Sequence, residues 1–548
     1  MVNLLHTKLK KTNMKLKNYI LSLLCLLSLS CFSQDKELSW KELSENYEFP
    51  EWYTEARFGI WVHWGAQTAP LQGGGWYARH MYMEDVGKEK WGKDAYSYHK
   101  NKFGDPSEIG FKDVINEWKA EKLDTDALVA YFKSVGAKYF VALANHHDHF
   151  DNFDSTHHPW NSVNMGPKRD IIGEFEKSTK KYEIPFGVSS HDDRFLDWWL
   201  PAFGADTSGL HKGIPYDGHM TIEDGKGKWW EGLNPADLYG LPPAERTPEY
   251  IEKIKQNWML RHKELVTKYD IDMIWFDGYN FPYDEYGKEV CETFFNKKRQ
   301  SSGKINAVVA GKFHNEPSTV KDIERGGASE ILLYPWQGIT TLRTWFYKED
   351  IHAMDYRHSA KTVIETLADY NSKNGNLLLN VELLGDGTIP TTQKIILDEI
   401  GAWIHLNSEA IYASKPWKIY GDNLNSYLKV LEESGIGEAD LEALKRQNNQ
   451  EHFNERTLKS PDYGNNEVRF TTNGDVLYMF VLNPSEGKIE IPSLGLNSKE
   501  KPGEISSIEL IGSDAQIEFK QDNMKLLLTV PAKRPNKLTT VFRIKGVL

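Results

Sequence analysis

The sequence predicts an α/β chain, an irregular (β/α)8 barrel of the TIM type followed by a C-terminal β-sandwich. Two observations carry this. From about Phe58 to Asn407, short apolar runs alternate with longer stretches of helical periodicity, the pattern of strand and helix units around a parallel sheet. Past Trp417 that alternation gives way to short strands of period two, broken by turn residues.

Taken in order, Phe58 to His63 reads as the first strand. Asp124 caps a helix that carries Leu128, Phe132 and Val135 on one face and closes at Gly136, and Tyr139 to Ala144 is the strand after it. Phe186 to Ser189 is a third. Thr247 then caps a long helix with Pro248 in its first turn and a stripe of Ile251, Ile254, Trp258, Leu265 and Tyr269, leading into the strand Met273 to Phe276. Ile305 to Ala310 and Leu377 to Val381 are further strands, the latter after a helix capped by Ser359 and stopped at Gly375. A last helix runs from about Thr392 to Asn407. Beyond it, Val468 to Thr472 and Val476 to Val481 flank Asn473-Gly474, a pair suited to a tight hairpin.

The expected organisation is a leader over residues 1–33, a barrel over 34–415 and a sandwich over 416–548, with a polar, helix-prone insertion near 423–449. The leader carries Lys8, Lys10, Lys11, Lys15 and Lys17 and no acid, then an apolar run from Tyr19 to Cys31 ending in small residues. That run is shorter than the ~20 residues a membrane span needs. The reading is a secretory signal and a secreted or periplasmic protein, with lipid attachment at Cys31 as the other route. The remaining cysteine, Cys291, has no partner for a disulfide once the leader is removed.

The chain has 548 residues, 66 Lys and Arg against 78 Asp and Glu, and a formal charge of -12. Binding to nucleic acid is excluded as a main role, because neutralising phosphates needs a basic face.

In strand and helix barrels the working residues lie just past the C-terminal ends of strands. Asp277 stands there in DMIWFDG, after Trp275 and Phe276, and is the candidate nucleophilic carboxylate. His146 and His147 open the run NHHDHFDNFD, placed to bond ligand hydroxyls. Adjacent loop histidines do not readily face one ion, so the sequence predicts neither a metal nor another cofactor. FGIWVHWG ends in His63 and Trp64, and GGGWYARHMY brings Trp76, Tyr77 and Arg79. Flat aromatic faces suit the C–H faces of sugars, and His and Arg suit their hydroxyls.

The segments RFGIWVHWG, GGGWYARHMY, GAKYFVALANHHDHFDNFDS, GPKRDIIGEF, DMIWFDG, NGNLLLNV with GDGTIP, and IGAWIHLNSEAIYASKPW resemble glycoside hydrolase family 29, the retaining α-L-fucosidases. The resemblance runs from Trp52 to about Trp417. It implies a barrel and a sandwich, Asp277 as nucleophile, His63, His146 and His147 on the sugar's hydroxyls, and Trp76 and Trp275 along the pocket. Tyr77, Lys312 and Trp336 complete the expected substrate-binding set. Glu324 in KDIERGG is the acid/base candidate, with Glu330 and Glu316 as alternatives.

Two departures stand out. Gly75 replaces a glutamate that many members carry before Trp-Tyr, which leaves room and alters the polar pattern of the pocket. Lys312 stands where an arginine is common, a point charge in place of a fork. The implied substrate is an oligosaccharide or polysaccharide ending in α-L-fucose, with α-L-galactose, as in an algal galactan, the alternative that Gly75 raises. A catalytically silent sugar-binding protein and a metal-dependent hydrolase built on the histidine run are the rival classes.

Overall fold

A computed structural model describes residues 37–84, 95–313, 316–349, 359–424 and 463–548. The expected leader, Cys31 and all but the first residues of the expected insertion lie outside them. Two compact units are distinguished. The first, Met1–Asn46, carries a short helix, Trp40–Glu45, whose N-terminus is closed by a reciprocal Ser39–Glu42 capping box. Everything below concerns the second, Tyr47–Leu548.

Eight parallel strands close a barrel in chain order: β1 Phe58–Val62, β2 Phe140–Asn145, β3 Phe186–Ser190, β4 Met273–Phe276, β5 Val308–Gly311, β6 Val320–Glu324, β7 Trp336–Thr341 and β8 Gly375–Asn380. β8 pairs back onto β1 through Phe58↔Leu377 to Trp61↔Asn380. The helices between them start where side chains satisfy the open N–H groups of the first turn. Asp124 accepts from Ala127 N, Thr247 from Tyr250 N and Ser359 from Thr362 N. The helix Thr125–Val135 ends at Gly136, whose φ of 104° needs no side chain in the way. The helix Ala360–Ser372 ends earlier than Gly375. Asn374, at φ 70°, makes that turn, and Gly375 opens β8, where a Cβ would meet the Trp336 ring at 2.4 Å.

The barrel interior is filled by Trp61, Val141, Met273, Trp275, Val308, Ala310, Val320, Ile339 and Leu378, with Tyr53 and Ala56 of the helix Glu51–Ala56 in the same core. A polar thread runs through it. Tyr53 and Tyr139 donate to Gln337 Oε1 at 3.3 and 2.7 Å, Gln337 Nε2 donates to Asp322 Oδ2 at 2.7 Å, and Trp275 Nε1 donates to the same oxygen at 2.7 Å. Each of these side chains is thus held by at least one hydrogen bond within the core.

β9 Lys415–Asp422, β10 Glu467–Asn473, β11 Val476–Leu482, β12 Gly487–Ile491, β13 Ser507–Leu510, β14 Phe519–Gln521, β15 Leu526–Val530 and β16 Thr540–Lys545 form two antiparallel sheets, ordered β13-β16-β11-β10-β9 and β12-β15-β14. They share one core, with Val468, Phe470, Leu477 and Met479 from one sheet and Ile489, Ile491, Leu526 and Leu528 from the other. The outer face of the larger sheet lies against the barrel: Arg469 Nε reaches Asp369 Oδ1 at 2.6 Å and Trp403 Nε1 donates to Thr539 O at 2.7 Å. Among the described residues, no helix is long and apolar enough to cross a membrane.

Candidate active site

The C-terminal ends of the strands ring a cavity of about 640 Å³. His63 follows β1, His146 and His147 follow β2, His191 follows β3, Asp277 follows β4 and Lys312 follows β5. Glu324 is the last residue of β6, and Thr344, Trp345 and Phe346 come shortly after β7. The indoles of Trp61 and Trp275, edge to face with centroids 4.6 Å apart, belong both to the cavity wall and to the barrel core beneath it.

Asp277 is buried and sits between cations and imidazoles. Lys312 Nζ lies 2.6 Å from its Oδ1, while Oδ2 is 3.6 Å from His147 Nε2, 3.6 Å from His191 Nδ1 and 3.5 Å from Arg194. Burial alone would raise its pKa, but Lys312 first, and then His191 and His147, hold it well below the ordinary carboxylate value. Asp277 is therefore an anion at any physiological pH. Lys312 also reaches Glu324 Oε2 at 2.9 Å. Through one nitrogen, these contacts of 2.6 and 2.9 Å keep the two bridged carboxylate oxygens no more than about 5.5 Å apart, so both carboxyl groups face the same part of the cavity.

The histidines are neutral, and their hydrogen bonds fix how they present themselves. Burial pushes His63 and His146 well below the ordinary imidazole value, and His147 down to about 3 despite the attraction of Asp277. Asn380 Nδ2 donates to the carbonyls of Thr344 and Trp345 at 3.1 and 2.9 Å, so its Oδ1 must face His63. His63 Nδ1–H donates to that oxygen at 2.8 Å, leaving Nε2 as an acceptor. His147 Nδ1–H donates to the carbonyl of His191, again leaving Nε2 as the acceptor. His146 Nδ1 is joined to Gln67 Nε2 at 3.0 Å.

The alpha-L-fucosidase family model matches residues 25–409. The chain belongs to that family. It is accordingly a glycoside hydrolase of the fucosidase type. The alpha-L-fucosidase of Dictyostelium discoideum is 26% identical over 400 residues, which cover 72% of this chain and 77% of that one. The tissue alpha-L-fucosidase of Bos taurus is 27% identical over 411 residues, 70% of this chain and 73% of its own. A solved Thermotoga maritima alpha-fucosidase, in complex with a mechanism-based inhibitor, shares the fold with a TM-score of 0.65 at 24% identity, covering 93% of this chain and 99% of that one.

Of the fucosidase residues expected from sequence, Asp277, Glu324, His63, Trp76, His146, His147, Trp275 and Lys312 line the cavity. Trp76 stands at 45% exposed within ring-contact range of His147 and Trp198. Two do not belong. Tyr77 is buried with its hydroxyl 2.8 Å from His99 Nδ1, because the helix Tyr77–His80 begins there and turns it away from its neighbour Trp76. Trp336 faces outward from β7, donating to Lys373 O and packing on Tyr370, whereas Gln337 and Ile339 take the inward positions. Of the alternative acids, neither Glu316 nor Glu330 lines this cavity; Glu330 lines a separate one beside β9, and Glu316 bonds Ser318.

Two further expectations change. The space beside Gly75 is filled, since a Cβ there would lie 2.7 Å from the ring of Phe346, which packs edge-on against His146. The adjacent histidines do converge, for His146, His147 and His191 each offer a ligand atom within 4.8 Å of the others. His191 and Arg194, outside the sequence-derived set, follow the strand Phe186 to Ser189 and carry the same signal as the others, polar residues just past a strand end. Trp345 and Phe346 had no such signal, because the strand before them is polar.

Proposed function

We propose that this chain is an exported, exo-acting α-L-fucosidase that releases terminal L-fucose from glycans with retention of configuration. The observation that carries the reading is the pair Asp277 and Glu324, which line one cavity and are bridged by the Lys312 ammonium. Asp277 Oδ attacks the anomeric carbon as the bond to the leaving oxygen breaks, and Glu324 gives its proton to that oxygen. Water then attacks the same carbon while Glu324 takes a proton from it, and the bond to Asp277 breaks. Two inversions return the α configuration.

The remaining groups seat the sugar. His63 and His147 present Nε2 lone pairs to hydroxyls, and Trp275 and Trp76 offer flat apolar faces. The Phe346 ring, closing the room beside Gly75, adds apolar surface to the pocket, which suits the methyl-bearing sugar better than L-galactose with its extra hydroxyl. Trp61 and Trp275, buried in the barrel core, floor the pocket, as removal of a terminal residue requires.

The test is hydrolysis of matched aryl α-L-fucoside and α-L-galactoside, with proton NMR of the first-formed sugar anomer. The expected result is faster turnover of the fucoside, the α anomer first, and a loss on the order of 10⁴-fold or more in Asp277→Ala. A first-formed β anomer would refute retention, and full activity in the variant would refute Asp277 as nucleophile.

A further inference from the structure

We propose that His146, His147 and His191 also form a binding site for a zinc-class divalent ion, and that an ion bound there shuts the enzyme by covering Asp277. The inhibition rests on the reading of Asp277 above; the binding does not.

The site is built by the sheet. Asn145 at the end of β2 is paired with Ser190 at the end of β3, so the residues that follow, His146 and His147 on one side and His191 on the other, leave the barrel side by side. One ligand atom of each lies within 4.8 Å of the others. A tetrahedral zinc with Zn–N bonds of 2.0–2.1 Å places its nitrogens about 3.4 Å apart, so modest side-chain rotation closes the set.

One of the rings is already anchored as metal ligands are. His147 is held through Nδ1–H by a backbone carbonyl, which leaves its Nε2 lone pair free, whereas His146 Nδ1 accepts from Gln67 Nε2 at 3.0 Å, so His146 gives up the proton on Nε2 when an ion enters. His191, 5% exposed, turns Nδ1 toward Asp277 Oδ2 at 3.6 Å, the side on which His147 Nε2 also lies. A fourth ligand is at hand. Asp277 Oδ2 lies 3.6 Å from both His147 Nε2 and His191 Nδ1, while Lys312 engages the other oxygen. Three imidazole nitrogens with one carboxylate oxygen select zinc, copper or nickel over magnesium or calcium.

The ion would occupy the seat of the sugar's hydroxyls and one oxygen of the nucleophile. Inhibition is therefore competitive with the fucoside, and a chelator raises activity in metal-contaminated preparations.

Calorimetric titration of the chelator-stripped chain with zinc chloride and with magnesium chloride tests the site, beside His147→Gln, His191→Gln and, as a control on exposed imidazoles, His157→Gln. Zinc affinity should fall at least tenfold in the two pocket variants and stay unchanged in the control, and magnesium should give no binding. Affinity retained in both pocket variants, or no zinc binding by the parent chain, would overturn the proposal. Should the variants fail to fold, cobalt(II) added to the parent chain decides: intense visible bands of a tetrahedral ion, displaced by zinc, are expected, and their absence refutes the site. Zinc binding lost in the variants, with turnover by the parent indifferent to zinc, would sink the inhibitory half and fault Asp277 while the binding site stood.

Discussion

The two sides of the barrel mouth are built on different principles. On the β1 to β3 side stand His63, His146, His147 and His191, neutral rings, and the loops after β2 and β3 that carry the last three also carry a buried ionic frame. Arg261, fully buried, reaches Asp151 Oδ2 at 3.0 Å and Asp192 Oδ2 at 2.7 Å, and Asp192 Oδ1 lies 2.7 Å from His149 Nδ1. On the β5 to β7 side the charges themselves face the cavity, as Lys312, Glu324, Arg325 and Lys348. Asp277 at the end of β4 is the seam. One side is thus suited to seating hydroxyls without titrating, and the other to moving a proton and balancing an anion.

Breaking the charged side should cost most. Glu324→Gln keeps the shape and removes the proton, and kcat for a fucoside with a poor leaving group should fall by roughly 10² to 10⁴. A substrate with an activated phenol, which needs no protonation to leave, should fall far less. Equal losses on both substrates would show that Glu324 only shapes the pocket. Glu316→Gln and Glu330→Gln, away from the cavity, should keep parental kcat on both.

Breaking the neutral side should act through the fold. Arg261→Met leaves Asp151 and Asp192 buried without their cation, at about 3–5 kcal/mol in unfolding free energy. Denaturant unfolding measures the loss, and KM should rise because the frame joins the loops that carry His147 and His191. A variant with parental stability and KM would show that the two sides are not backed differently at all.

A smaller effect sharpens where the sides meet over Gly75. Gly75→Ala must displace the Phe346 ring from a 2.7 Å contact, an overpacking worth about 1–3 kcal/mol. The pair Gly75→Ala with Phe346→Ala should recover much of that cost. Strictly additive losses in stability would mean that the ring is not what excludes a side chain at that position.

The same division decided what could be read from the sequence. The ends of β1, β2 and β4 follow apolar runs, so His63, His146, His147 and Asp277 stood out as polar residues after a strand. β6, VKDIE, and β7, WQGITT, carry Asp322 and Gln337 inside the barrel as parts of the hydrogen-bonded thread, so no apolar run marked them. Glu324, which ends β6, is therefore reached only through the resemblance. Trp336 faces away from the pocket because the parity of β7 sets its direction, and parity is invisible without register. Tyr77 failed for a similar reason, one residue past Trp76 at the start of a helical turn.

The last comparison sets two buried carboxyl groups against each other in sign. Asp148, next to His147 on the neutral side, is 3% exposed, and burial pushes its pKa up to about 8. The unfolded chain gives up this proton near 3.8, so between that value and about 8 the folded state binds more protons and stability falls as pH rises. Asp277 runs the other way. Its pKa is depressed chiefly by Lys312 against the pull of burial, so its contribution is present above 3.8 and lost only as pH falls through its folded value. Thermal unfolding of Asp148→Asn should match the parent near pH 4 and gain on it steadily toward pH 8, about the span over which the parent ionises this group. Asp277→Asn should instead fall below the parent throughout that range, because its loss leaves Lys312 with one carboxylate fewer. Parallel shifts in the two variants would mean that the neutral and charged sides share one electrostatic environment, and the distinction between them would fail.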